Sequence, residues 1–299
     1  MDIYFLILYF FTYGFLGWCT EVAYATTKER RFVNRGFLNG PICPIYGVGV
    51  SAVLLLLEPF ENNLIFLYVA SVIVVTLIEG FTGFALDKIF HHKWWDYSDQ
   101  PLNIGGYVCM IFSFVWGVAC VFIVKIFQPI VHSVLKMIPH TLGIILIVIL
   151  GIVLFADLYV TASGILKFNK RLEMMEKIAA ELREISDKMG SSIHDNVMDT
   201  MEKQEEGKKK LEEAADDIKE KLEEFGEEQK EYVAEFREHA AELKERAVEL
   251  GERYAQLAKS STRVSVRLVK AFPKMQPRKH KDIFDELKKG LEERVKKGK

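Results

Sequence analysis

Apolar residues fill the first 166 positions in long runs separated by short polar segments. Five runs stand out, at 3–24, 44–57, 64–86, 104–127 and 141–166. A hydrocarbon core about 30 Å thick takes about 20 helical residues at 1.5 Å each. The pattern therefore predicts an all-α fold: a polytopic membrane helix bundle of about five spans over 1–166. The 44–57 run is short and opens at Pro41 and Pro44, so a full span and a re-entrant element both remain open.

Beyond residue 166 the period changes. From Leu211 apolar positions fall at 211, 215, 218, 222 and 225, then polar Gln229, then 232 and 236, then 240, 243, 247, 250, 254 and 257. Steps of four and three make a heptad seam, and the two successive fours at 232–240 make a stutter. This predicts a cytosolic helical and coiled-coil region over 167–258, with Gly190-Ser191-Ser192 expected to interrupt its first stretch. Such a region would dimerise, or form an antiparallel pair folding back on the membrane; a solvated single helix held by i,i+4 charge pairs is the alternative. A final short helix is expected from Asp282 as N-cap, with Ile283, Leu287, Leu291 and Val295 on one face.

Charge sharpens this division. Residues 1–166 hold 8 Lys+Arg and 10 Asp+Glu; residues 167–258 hold 17 and 26; residues 259–299 hold 14 and 5. The last segment is a basic amphipathic tail. Arg263, Arg267, Lys270 and Lys274 form one helical stripe suited to anionic lipid headgroups, at about 1 kcal/mol per basic residue near the surface. The acidic helix of the same chain is a second partner for it, and nucleic acid ranks last. Basic residues also set orientation. Lys28, Arg30, Arg31 and Arg35 lie in the first loop, Lys88 and Lys93 in the third, and Lys167, Lys170 and Arg171 after the fifth span. Lys125 and Lys136 dissent. The expected arrangement is N-terminus outside and C-terminus in the cytosol. A cleavable leader is not expected, because Met1-Asp2-Ile3 lacks a basic start. The four cysteines, Cys19, Cys43, Cys109 and Cys120, form no CxxC pair and are expected to be small core residues.

Three carboxylates interrupt the apolar runs. Glu79 lies 15 residues into its span, roughly 22 Å at 1.5 Å per residue. Glu21 and Asp157 reach a similar depth from the same side. A carboxylate at mid-bilayer costs about 2.5–3.5 kcal/mol on insertion scales, so each is expected to face protein or a polar cavity. Their helix faces carry small and hydroxyl residues: Gly14 and Gly17 with Glu21, Thr76, Thr82 and Gly83 with Glu79, Thr161 and Gly164 with Asp157. Arg35, or backbone amides of the first loop, would satisfy the charge. A binding cavity for a cation, proton or amine and a purely structural polar network are both consistent with this pattern.

Two loops are unusual. The first, Asn34-Arg35-Gly36-Phe37-Leu38-Asn39-Gly40-Pro41, demands special backbone geometry and is expected to dip beneath the carboxylates. The third carries His91, His92, Trp94, Trp95, Asp96 and Tyr97. Its histidines and aspartates match no metal-ligand spacing, so its aromatic residues are expected to anchor in the headgroup layer. Gly47-Val48-Gly49-Val50-Ser51-Ala52 fits a dinucleotide fingerprint, but no strand precedes it. No nucleotide-hydrolysing or other catalytic motif is present, and no cofactor is indicated.

Phe15-Leu16-Gly17-Trp18-Cys19-Thr20-Glu21-Val22, Phe32-Val33-Asn34-Arg35-Gly36-Phe37-Leu38-Asn39-Gly40-Pro41 and Trp94-Trp95-Asp96-Tyr97-Ser98 resemble the ABC-transporter type IV (CmpB-like) family of bacterial membrane proteins over about residues 1–165. The resemblance implies a permease-like subunit in a bacterial cell membrane, served by a separate ATPase. The expected site is a cytosol-proximal polar cluster of Glu21, Arg35, Glu79 and Asp157, with Asn34, Asn39, Trp94, Trp95 and Asp96 as loop residues. A membrane scaffold that recruits partners, or itself, through the coiled coil is the alternative.

Overall fold

The computed structural model describes residues 2–213, 218–260 and 263–297. Within these, helices dominate: α1 (Ile3–Glu29), α2 (Pro44–Leu57), α3 (Leu64–Phe90), α4 (Met110–Phe122), α5 (Gln128–Lys136), α6 (His140–Glu213), α7 (Ile218–Lys259), α8 (Arg263–Ala271) and α9 (Lys281–Lys297). The short strands β1 (His92–Lys93) and β4 (Gln276–Pro277) pair antiparallel, as do β2 (Asn103–Ile104) and β3 (Val108–Cys109). The chain forms two units, one from residues 1–170 with 261–299, the other from 171–260.

Among the described residues of the first unit, four helical stretches are long and apolar enough to cross a membrane: α1, α3, α4–α5 as Met110–Lys136, and the start of α6. Pro44–Phe60 is shorter. Ile65, Leu77 and Phe81 on α3 and Ile152, Phe155 and Tyr159 on α6 are exposed. An apolar exterior of this kind marks a lipid-facing bundle. Inside, Leu8, Tyr9 and Tyr13 of α1 pack with Val53 and Leu54 of α2, Leu67 of α3 and Cys120 and Val124 of the fourth span. Asp2 and Asn63 cap α1 and α3, their Oδ1 atoms accepting from Tyr4 and Phe66 amides.

The fourth span departs from the expected 104–127. Residues 103–109 form the β2–β3 hairpin, turned by Gly105 and Gly106 at φ +61 and +75. The helix begins at Met110 and continues through a π-turn, Ile123–Phe127, into α5. Lys125 and Lys136 therefore sit on a helix and not in a connecting loop.

In the second unit α6 runs unbroken through Gly190-Ser191-Ser192, correcting the expected interruption. Ile178, Leu182, Ile185 and Met189 of α6 pack against Leu243, Ala247, Leu250, Tyr254 and Leu257 of α7. Arg246 pairs with Glu181, and the Arg171 guanidinium donates to the Ser260 carbonyl. The helices are thus antiparallel, and the seam positions from 243 to 257 find their partner within the chain. Seam positions from Leu211 to Tyr232, and Val295 of α9, lie outside the described side chains.

Candidate functional site

The loop following α1 is organised by Asn34. Its Oδ1 accepts from Trp18 Nε1 at 2.8 Å and from the Gly36 amide at 3.1 Å, and its Nδ2 donates to the Asn39 carbonyl at 2.8 Å. The resulting tight turn aims two backbone amides at α6. Asp157 accepts from the Asn39 amide (3.1 Å), Asn39 Nδ2 (2.7 Å), the Gly40 amide (2.6 Å) and Thr161 Oγ1 (3.2 Å). A carboxylate in an apolar helix is thereby solvated by backbone and side-chain dipoles, without a direct ion pair. A Cβ on Gly40 would lie 3.2 Å from Asp157 Oδ2, so its small size permits the approach.

Glu21 is satisfied differently. Arg35 Nε lies 3.3 Å from Glu21 Oε2, and Tyr46 of α2 donates to Oε1 at 2.7 Å. Tyr46 fits because Gly17 leaves room: a Cβ there would lie 2.3 Å from Tyr46 Cγ. Of the two donors expected for the buried carboxylates, Arg35 therefore goes to Glu21 and the first-loop amides to Asp157, and neither reaches Glu79.

Glu79 meets Tyr97 of the third loop instead. Its Oε2 is buried and has no hydrogen-bond partner. Burial, and then the Glu79 charge, push the Tyr97 hydroxyl up, so it stays a proton donor. The loop lies close on α3 because Gly80 and Gly83 sit under Val108, Tyr107 and Trp95. Trp95 Nε1 donates to the Tyr107 carbonyl at 2.9 Å. Asp96 accepts from Ser98 N, Ser98 Oγ and Lys93 Nζ at 3.0, 2.5 and 3.2 Å. Burial alone would raise its carboxyl, but the Ser98 and Lys93 contacts outweigh this and hold it below the usual range. A Cβ on Gly106 would fall 2.6 Å from Asp96 Oδ1, so the turn requires glycine.

The C-terminal segment completes this end of the bundle, and sequence reasoning missed its role. Arg267 of α8 donates from Nε to Asn39 Oδ1 (3.0 Å), from one terminal nitrogen to the Gly36 carbonyl (2.7 Å) and from the other to the Phe37 carbonyl (2.8 Å). Burial lowers its pKa. Arg278 holds Asp87, the buried carboxylate in the last turn of α3, at 2.5 to 3.1 Å, and Tyr107 donates to the same carboxylate at 2.5 Å. The hydrogen bonds to Asp87 raise the Arg278 pKa. Between these anchors β4 pairs with β1, and the Arg278 amide donates to the His91 carbonyl at 2.9 Å. Trp94 is 4% exposed, packed edge-on against Phe37 and Phe272. The expected headgroup anchor is a core residue, because the tail brings Phe272 against it, with Leu268 and Met275 beside it.

A second polar set lies toward the opposite end of α1. Tyr9 OH lies 2.5 Å from His132 Nδ1, and Tyr13 OH donates to Gln128 Oε1 at 2.8 Å. Tyr9 and Tyr13 share one helix face with Gly17 and Glu21, a signal the sequence carried. The π-turn that brings Gln128 and His132 round to meet them leaves no such trace.

The expected residues thus fall into three arrangements: Glu21 with Arg35, Asp157 with Asn39 and Asn34, and Glu79 beneath the loop of Trp94, Trp95 and Asp96, where Tyr97 also feels the Glu21 charge. Arg267 is bound within the chain, while Arg263, Lys270 and Lys274 stay exposed. No curated protein and no solved structure matches the chain. The model of one family, described as "Putative ABC-transporter type IV", matches residues 8–162. That stretch contains Glu21, Arg35, Asn39, Glu79, Asp87 and Asp157 and every loop built around them. The chain is a multi-pass membrane protein belonging to that ABC-transporter-related family.

Proposed function

We propose that the protein is the permease-like subunit of an ABC-type transport system, with the loop end of its bundle in the cytosol and the ATPase on a separate chain. One observation carries this reading. Among Glu21, Glu79, Asp87 and Asp157, Glu21 and Asp87 pair with arginines and Asp157 is capped by amides. Glu79 meets a tyrosine hydroxyl and keeps one buried oxygen unpartnered. A buried carboxylate with spare acceptor capacity is suited to a cation, a proton or a substrate amine. The subunit itself performs no catalytic step in this reading. Exposed Arg263, Lys270 and Lys274 face anionic headgroups.

Native purification with identification of co-purifying chains tests the proposal: a stoichiometric ATPase is expected, and its absence sinks the transport reading. Glu79→Gln is expected to abolish transport with assembly intact. A non-transporting scaffold is the second reading, favoured by the way Glu21, Asp87 and Asp157 each tie a helix to a loop or to the C-terminal segment. It expects Glu79→Gln to lower thermal stability only, and deletion of residues 167–299 to abolish function.

A further inference from the structure

We propose that residues 263–297 act as a latch in cis: one segment pins both loops that cover the buried carboxylates, and it must lift for those carboxylates to meet water from the loop end. At the first loop Arg267 spends its guanidinium on three acceptors within four residues, Gly36, Phe37 and Asn39. Asn39 simultaneously donates to Asp157 and to Thr161 Oγ1 at 3.0 Å. The loop is therefore clamped between α6 on one side and α8 on the other, with a single asparagine touching both. At the third loop the β1–β4 pairing and the Arg278–Asp87–Tyr107 contact hold the stretch from which Tyr97 reaches Glu79.

These contacts suit a reversible closure. Three of them end on loop carbonyls or a loop amide side chain, and Arg278 is half exposed. The seat is shaped for this segment: Gly164 of α6 lies against Val264, where a Cβ would fall 2.8 Å from the valine side chain. Leu268 and Phe284 are 3% and 2% exposed, so the segment buries apolar side chains when seated. Lifting it uncovers those side chains and frees the loop carbonyls together, so the two loops open as one unit. The proposal stands on these contacts alone and does not require Glu79 to bind anything.

Hydrogen exchange followed by mass spectrometry on the full chain in nanodiscs tests it. In Arg267→Ala combined with Arg278→Ala, residues 34–40 and 94–107 are expected to exchange at least about tenfold faster, in step with 263–290, while the cores of α1 and α3 keep their protection. If 263–290 exchanges freely and either loop keeps wild-type protection, the segment merely leans on the bundle and the proposal falls. Should the variant lose protection in α1 and α3 as well, a cross-link decides. H92C with P277C joins β1 to β4 under oxidation, and the oxidised chain is expected to slow exchange at 34–40, remote from the bond. Equal exchange there in oxidised and reduced protein overturns the latch.

Discussion

Asp87 is 6% exposed and Arg278 half exposed, so the two halves of this ion pair carry unequal risk. Arg278→Ala leaves a buried carboxylate with the Tyr107 hydroxyl and the nearby Lys93 charge, whereas Asp87→Asn leaves a neutral amide beside a solvated guanidinium. Arg278→Ala is expected to cost about 2 kcal/mol, and Asp87→Asn less, in thermal unfolding of the purified protein. His92 gives a pH dependence. It is 2% exposed among Trp94, Phe168 and Phe284, with His91 and Asp87 the nearest titratable groups. Burial lowers its pKa, so the folded state binds the proton less readily than the unfolded state. The associated stability is present above the unfolded value of about 6.5 and is lost as pH falls below it. His92→Phe is expected to narrow the difference in melting temperature between pH 7.5 and pH 5.5; an unchanged difference would exclude this role. At this scale the sequence marked the groups and not their partners. A charge in an apolar run is visible from composition, which is how Glu21, Glu79 and Asp157 were found. Which donor reaches which group depends on loop backbone, so the division of Arg35 to Glu21 and of the loop amides to Asp157 was not legible, and the Arg267 contact went unseen.

Elements show the reverse balance. Spans were legible because hydrophobic length is a one-dimensional property, and α1, α2, α3 and the start of α6 fall where the runs predicted. The β2–β3 hairpin and the π-turn were not, since apolar Ile104, Val108 and Ile123 look the same in a span or outside one. Nor did Gly190 break α6: packing of the neighbouring stretch against α7 overrides a local propensity cost of about 1 kcal/mol. The α1–α2 contact offers a sharp comparison of two glycines. Gly17→Ala places a methyl against the Tyr46 ring and is expected to destabilise by about 1–3 kcal/mol while loosening the Tyr46–Glu21 bond. Gly49→Ala meets nothing within 4 Å and is expected to be neutral or slightly stabilising. Thermal melts of both variants in detergent decide; equal losses would show that the close fit at Gly17 carries no energy.

At the scale of the whole molecule, the loop after α1, the loop after α3 and the C-terminal segment gather at one end of the first unit. Impermeant thiol reagents are therefore expected to label Ser98→Cys and Lys270→Cys from the same side of the membrane, and Glu61→Cys from the other. Labelling of Ser98→Cys and Lys270→Cys from opposite sides would contradict the fold. The seam allowed an antiparallel pair folding back on the membrane but did not show which loops the last part of the chain covers, because amphipathic helices record that a face is covered and not by what. The Arg171–Ser260 hydrogen bond has one more consequence. It closes the mouth of the α6–α7 hairpin, so the chain leaves for residues 172–259 and comes back at nearly the same place. Such a hairpin is a cassette. It can be lengthened, shortened or exchanged between related chains without stretching the flanking polypeptide, and a short Gly/Ser linker in its place should leave the bundle and its C-terminal segment assembled.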